Sequence, residues 1–312
     1  MPEQQIAEEQ RQMRPAFLIN NRNKAKFVGR CVAGALSQTV PCDIMIADFA
    51  SEDNSREEIK RAIAKCPRAC DHNIEYVEKD EPTEPTMVAV NHAIAWMVEH
   101  TAAEWVFQCS SDDYSLPDRV RVCMNAAKEH DCAGVACTMR FENPERPFEA
   151  AVSGYPTEDG YVSAGIGIHK MAYGSTIWAY RREFLQKVGL AVPCTLDVYL
   201  GYLASLDRGY YVVANPQHVH YLAADNQNIG FQGKMRAAEL AGDKPTIHRV
   251  NELNRFQLFE LYLKTAERAL ALYPLAHEAD RAAITQMLVN QAVGWYTERA
   301  NLHRQKIAPA LL

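Results

Sequence analysis

An α/β fold on a mostly parallel sheet is what this sequence predicts, and three observations predict it. Short apolar runs of four to six residues recur from residue 16 onward. They alternate with segments whose apolar residues fall at helical spacing. Several runs close on a polar or acidic residue, the place where open α/β sheets present functional groups. Strands that alternate with helices imply right-handed βαβ units, which set parallel strands side by side.

The elements follow in order. Ala16-Phe17-Leu18-Ile19 reads as a buried first strand, with the polar loop Asn20-Asn21-Arg22-Asn23 at its carboxyl end. Residues 26–38 carry Phe27, Val28, Cys31, Val32, Ala35 and Leu36 at the spacing of one helix face. Asp43-Ile44-Met45-Ile46-Ala47-Asp48 is a second strand closing in an acid. Residues 55–65 form a helix, with Ser55 as N-cap and Glu58 completing a capping box. Ile74-Glu75-Tyr76-Val77 is a third strand, and residues 86–100 are a helix bearing Val90, Ile94, Met97 and Val98. Residues 105–108 are the fourth strand, and Pro117 opens a further helix through Arg119, Val120 and Val122.

Beyond this point the pattern loosens. From 140 to 173 Gly and Pro punctuate a long loop region, and long loops in compact domains are usually functional. Order returns with a strand at 174–180, a helix at 181–188 ended by Gly189, a helix at 197–208 stopped by Gly209, and a strand at 210–214. Residues 253–273 and 277–303 are helical in pattern, with Met287, Leu288, Gln291, Ala292 and Trp295 on one face. The expected division is an N-terminal extension (1–14), an α/β domain (15–230) and a C-terminal helical region (231–312). Within the domain, 15–118 and 119–230 form two halves.

Bulk properties exclude some classes. A net charge of -6 leaves no global basic footprint for nucleic acid. Nine cysteines, scattered and odd in number, form no disulfide framework, and a reducing cytoplasm is the expected compartment. No apolar run approaches the roughly 20 residues that a membrane-spanning helix needs. Residues 1–14 carry no apolar signal-peptide core.

The most informative stretch is Cys109-Ser110-Ser111-Asp112-Asp113-Tyr114-Ser115-Leu116-Pro117-Asp118. It places two adjacent carboxylates at the end of a strand. Two hard oxygen donors fixed there suit a divalent ion that also holds phosphate. A solvated turn with an Asp N-cap is the competing reading.

Taken in order, these residues resemble a known family. The ordered features are Asn20-Asn21-Arg22, Ala35-Leu36-Ser37-Gln38-Thr39, Ile46-Ala47-Asp48 with Ser51-Glu52-Asp53, Asn91, Ser110 to Asp118, and Gly174-Ser175. Over roughly residues 15 to 225 the chain is similar to the family 2 glycosyltransferases of GT-A fold. The resemblance implies a Rossmann-like GT-A sheet flanked by helices, with 15–118 the nucleotide-binding half and 119–230 the acceptor half. It also implies an inverting, metal-dependent transfer from a nucleotide-diphospho-sugar, a UDP-sugar first, to an acceptor hydroxyl. Asp48 would accept a hydrogen bond from the donor's base. Asn20, Asn21, Arg22, Ser111 and Asp112 would line the donor site. Asp113, Asp112 and His220 would hold Mn²⁺ or Mg²⁺, with His218 the other candidate histidine. Asp197 would be the general base.

The chain departs from the family pattern at Ser110, where many members carry an acid, at Phe49-Ala50, where Asp-Gly-Ser is common, and at Leu196, where many carry Glu. Two other readings stand beside this one: a nucleotidyltransferase of the same fold class, and a binding module without chemistry. Trp178 would stack on a sugar or fill the core, and Arg181-Arg182 would be a solvated helix start. The acceptor is a saccharide, small molecule, protein or modified DNA base. The C-terminal helices offer a route to a homo-oligomer.

Overall fold

The computed structural model describes residues 14–79, 87–142, 158–162, 177–190, 192 and 196–221, and further on 242, 245, 265, 267–269, 271–273 and 282. The chain divides into two compact units, Met1–Asn226 and Gln227–Leu312. In the second, residues 265, 267–269, 271 and 272 are helical, and Thr265 and Ala269 are buried. Residue 282 is helical too; apart from it and residue 273, the remainder of the helices expected at 253–273 and 277–303, with the Met287–Trp295 face, lies outside the described residues.

The described residues of the first unit carry one sheet. Its strands are β1 (Ala16–Asn21), β2 (Asp43–Phe49), β3 (Asn73–Lys79), β4 (Trp105–Ser110), β5 (Tyr114–Ser115), β6 (Gly134–Glu142), β7 (Gly160–Val162), β8 (Trp178–Arg181) and β9 (Tyr210–Tyr221). Its helices are α1 (Ala25–Leu36), α2 (Ser55–Lys65), α3 (Met87–Glu99), α4 (Arg119–Glu129), α5 (Arg182–Val188) and α6 (Leu196–Asp207). Nine strands join in the order β3-β2-β1-β4-β8-β6-β9-β5, with β7 paired to β9. The half β3-β2-β1-β4 is parallel throughout. Strand β8 runs antiparallel between β4 and β6, and β6 runs parallel to β9.

The first strand is central because it is apolar on both faces. Ala16, Phe17, Leu18 and Ile19 are all buried, as strands covered by helices on both sides must be. The helical stripe expected on α1 is buried in full: Phe27, Val28, Cys31, Val32, Ala35 and Leu36. Asn54, not Ser55, is the N-cap of α2, and no side-chain cap bond forms there. Ser55 instead accepts the Lys24 N–H at 2.9 Å. The expected capping box gives way because this hydroxyl is needed to tie α2 to the loop after β1.

Gln38 and Thr39 act at a distance. Gln38 Oε1 accepts the Val120 N–H at 3.0 Å, in the first turn of α4, and its Nε2 donates to Leu116 O at 2.8 Å. Thr39 Oγ1 donates to Asp118 Oδ1 at 2.8 Å. The end of α1 thus caps the start of α4 and fixes the segment leaving the Asp pair. Gly34 lets α1 approach that segment. A Cβ there would lie 2.8 Å from Ser115 O and 3.1 Å from Ser115 N, both backbone atoms. Gly34→Ala is expected to destabilise the protein by about 1–3 kcal/mol through overpacking, although alanine has the better helix propensity. A urea-unfolding midpoint at or above wild type would show that α1 and β5 can part without cost.

Two further expectations are corrected, and a third, left between two alternatives, is decided. The last strand extends to Tyr221, so His218 and His220 lie within β9 and not beyond it. Pairing with β6 keeps it extended, with register shifts between Cys137 and Met139. Arg181 and Arg182 are not simply solvated: Arg181 Nε donates to Cys132 O at 2.9 Å, and Arg182 Nε to Ala103 O at 3.1 Å. They bind these loop carbonyls where the β8–α5 junction packs. Trp178 fills the core, 1% exposed, stacked on Tyr180 and edge-on to Tyr210. Strands β5, β6 and β7 had no sequence reading of their own.

Candidate active site

The carboxyl ends of β1, β2 and β4 lie side by side. Asn21 is in register with Asp48, and Asn20 with both Ala47 and Ser110. Strand β4 ends at Ser110, and the chain turns through Ser111, Asp112 and Asp113, with Asp113 N–H donating to Ser110 O at 3.0 Å. All three of those turn residues are buried.

Asp113 meets His218. The two nitrogens of His218 are settled by what faces them. Arg119 Nη1 lies 3.5 Å from His218 Nδ1, and a guanidinium can only donate. Nδ1 is therefore the acceptor, and the ring proton sits on Nε2, which donates to Asp113 Oδ2 at 3.2 Å. Antiparallel pairing of β5 with β9 sets Ser115 opposite His218 and so brings the imidazole to the turn. Arg119 itself is fully buried and donates to Gln108 O, Ser115 Oγ and Trp178 O at 3.0, 2.9 and 3.2 Å. It lies over the Phe17 and Phe107 rings. One buried cation thus joins β4, β5, β8 and β9 beneath the Asp pair.

Asp112 meets Lys24, whose Nζ lies 3.0 Å from Asp112 Oδ2. Lys24 precedes α1, and its backbone is tied to α2 through Ser55.

Asp48 is the centre of a second cluster. Its Oδ1 accepts from Ser51 N at 3.1 Å and Arg56 Nε at 3.0 Å, and its Oδ2 from Ser51 Oγ at 2.6 Å and Asn21 Nδ2 at 2.7 Å. These bonds use the acceptor capacity of a carboxylate. Burial pushes the Asp48 carboxyl up, but the bonds from Ser51, Asn21 and Arg56 outweigh it and hold it below its ordinary value. A lowered carboxyl contributes stability that is present above the unfolded value and lost as pH falls through the folded one. Asp48→Asn is therefore expected to cost about 1–3 kcal/mol at pH 7. The difference from wild type should shrink below about pH 4, the unperturbed aspartate range. Chemical denaturation at pH 7 and pH 3 checks this, and an equal difference at both would contradict it.

Beside this cluster, the buried atoms Asn20 Oδ1, Asn21 Oδ1 and Arg22 Nη1 have no hydrogen-bond partner among the described residues. They are polar atoms at the strand ends that a ligand could satisfy. Asp197 is the second residue of α6, and His220 pairs in register with Phe141; the side chains of both lie outside the described residues.

The donor set fits a hard divalent cation shared with phosphate. Asp112 and Asp113 supply carboxylate oxygens at one turn, buried to 6% and 2% exposure. No group of three or more His, Cys, Asp or Glu suited to a metal occurs among the described residues. A cation here would take its remaining oxygens from a bound phosphate and water, as Mg²⁺-type sites do. Lys24, Arg56 and Arg119 were not singled out from the sequence. For Lys24 the available signal was a basic residue directly after the first strand; for Arg119, a charge on an otherwise apolar helix face.

Fold and site together define the class: an α/β domain with a polar, acidic site at the carboxyl ends of its parallel strands. Residues 17–189 match Glycosyl transferase family 2. The chain belongs to that family. The chondroitin synthase of Pasteurella multocida (strain Pm70) is 28% identical over 182 residues, covering 57% of this chain and 18% of that enzyme. The Pasteurella multocida hyaluronan synthase aligns equally, over 17% of its length. The chain thus matches less than a fifth of either relative. Among solved structures, S. aureus TarS in complex with UDP-GlcNAc has a TM-score of 0.62 at 13% identity, covering 91% of this chain and 73% of that one. The mannosyltransferase PcManGT from Pyrobaculum calidifontis, in complex with GDP-Man and Mn²⁺, has a TM-score of 0.56 at 16% identity, covering 96% and 81%. At these identities the likeness is one of fold. Among the described residues no helix is long and apolar enough to cross a membrane.

Proposed function

We propose that this chain is an inverting, metal-dependent glycosyltransferase that moves a sugar from a nucleotide-diphospho-sugar, a UDP-sugar first, to an acceptor hydroxyl. The observation that carries the proposal is the buried Asp112-Asp113 pair at the end of β4, faced by Lys24 and His218. Asp113 and Asp112 would hold Mn²⁺ or Mg²⁺. That ion, when bound, neutralises charge developing on the departing diphosphate. The complexes of TarS with UDP-GlcNAc and of PcManGT with GDP-Man and Mn²⁺ support this choice of donor class and ion.

The chain's own residues have separate tasks in this proposal. The Asn21-Asp48-Ser51-Arg56 cluster shapes the pocket for the base. Asn21 Oδ1 is the open acceptor beside a saturated Asp48, so a base N–H would meet Asn21 first. Asn20 and Arg22 line the same rim. Asp197, at the start of α6, would take the acceptor's hydroxyl proton while that oxygen attacks the anomeric carbon. The sugar–diphosphate bond breaks in the same displacement, and one displacement inverts the configuration.

A panel of UDP-, GDP- and other nucleotide-sugars, read by thermal shift with and without Mn²⁺, tests the proposal. One donor class should raise the melting temperature, and only with Mn²⁺, because a ligand that binds the native state alone stabilises it by mass action. No shift with any donor would refute donor binding. An equal shift in EDTA would refute the metal.

A further inference from the structure

Lys24 reaches the carboxylate pair across the sheet, from the end of β1 to the turn after β4. Its ammonium is 3.0 Å from Asp112 Oδ2, and the two side chains are 17% and 8% exposed. The backbone that launches it is held from three sides. Lys24 N–H donates to Ser55 Oγ at 2.9 Å, Asn23 N–H to Ser51 Oγ at 2.8 Å, and Ala25 N–H to Asp53 Oδ2 at 3.0 Å. The Cα is thus fixed, while the flexible four-carbon stem lets the ammonium change partners.

Charge explains what a lysine does there. Asp112 and Asp113 place two negative charges in a buried turn. His218 donates to Asp113 through Nε2, while its Nδ1 faces the Arg119 guanidinium. Lys24 balances one of the two carboxylates. A divalent cation would balance both. Sharing Asp112 would set the ammonium and the ion within a few ångströms of each other in a buried turn, where their repulsion is strong and favours release of the ammonium. A displaced ammonium on a fixed Cα would still stand at the carboxyl ends of the strands, where the donor's phosphates would bind.

We propose that Lys24 is a charge-exchange residue: it occupies Asp112 in the unliganded site, yields it to the divalent cation, and passes to the donor's diphosphate. The proposal rests on the metal-dependent function above and adds a coupling to it. Cation and nucleotide bind cooperatively, and each tightens the other by the same factor, as linkage requires.

The test measures Mn²⁺ uptake by EPR of the free ion, with no nucleotide, with UDP and with GDP, in wild type, Lys24→Gln and Lys24→Arg, each checked for folding by thermal melting. Without nucleotide, Lys24→Gln should bind Mn²⁺ about tenfold tighter than wild type, a difference of about 1.4 kcal/mol. With Mn²⁺ present it should bind the nucleoside diphosphate more weakly than wild type. Lys24→Arg should shift Mn²⁺ the other way, because a guanidinium grips a carboxylate through two bonds. Unchanged or weaker Mn²⁺ binding by Lys24→Gln without nucleotide would overturn the exchange and leave the metal site standing. Unchanged or tighter binding by Lys24→Arg would overturn it too, should the Gln variant not fold. A wild type that takes up no Mn²⁺ with either nucleotide would refute the metal site itself, and the exchange with it.

Discussion

Asp197→Asn is expected to lower the rate of sugar transfer by about 10²–10⁴-fold, the usual cost of losing a positioned general base. Donor affinity should stay near wild type, because the nucleotide contacts proposed here come from β1, β2 and β4, while Asp197 starts α6. That split separates a base from a structural acid. A helix-start acid that only complements the helix dipole contributes about 0.3–1 kcal/mol of stability. Its loss would lower the melting temperature slightly and leave turnover intact. The measurement is kcat and KM for transfer, with NMR of the product's anomeric centre. Inverted configuration is expected, since one base and one displacement leave no covalent intermediate. Retained configuration, or normal turnover by Asp197→Asn, would move the search for the acid to Asp225, Glu158 and Asp159.

Removal of the metal, or of Asp113, is expected to have a comparably large effect. Outer-shell partners of metal ligands already cost 10–100-fold when mutated, so loss of a ligating carboxylate should cost more than about 100-fold in transfer. Asp113→Asn is the chosen variant because it removes the charge and keeps an acceptor for the His218 Nε2–H. Excess EDTA should reproduce it in the wild type, and Mn²⁺ should restore the wild type but not the variant. Full turnover in EDTA would refute the metal's role. A variant that loses activity only through misfolding would show a lowered melting temperature in the absence of any ligand.

The legible part of this protein was local. The first four strands, the stripe on α1 and the acids near the carboxyl ends of β2 and β4 follow from periodicity and from polar residues at strand ends. Those signals span a dozen residues or fewer, so one sequence suffices to read them. The failures were local as well when a tertiary partner outbid a propensity: Ser55 left its capping role for Lys24, and β9 ran on past Ala214 because β6 lay beside it.

The sequence by itself determined the α/β class, the buried first strand and the placement of a carboxylate pair at a strand end. Only the tertiary structure decided what those carboxylates touch. The contact of Lys24 with Asp112 spans 88 residues, that of Arg119 with His218 spans 99, and that of His218 with Asp113 spans 105. No periodicity reports a pairing at that range, because it depends on strand order and register. Here antiparallel β5 against β9 sets the histidine beside the turn, and the β1–α1 loop carries the lysine to it. The chemistry of the site is written in residue types; its charge balance exists only once the sheet has closed around them.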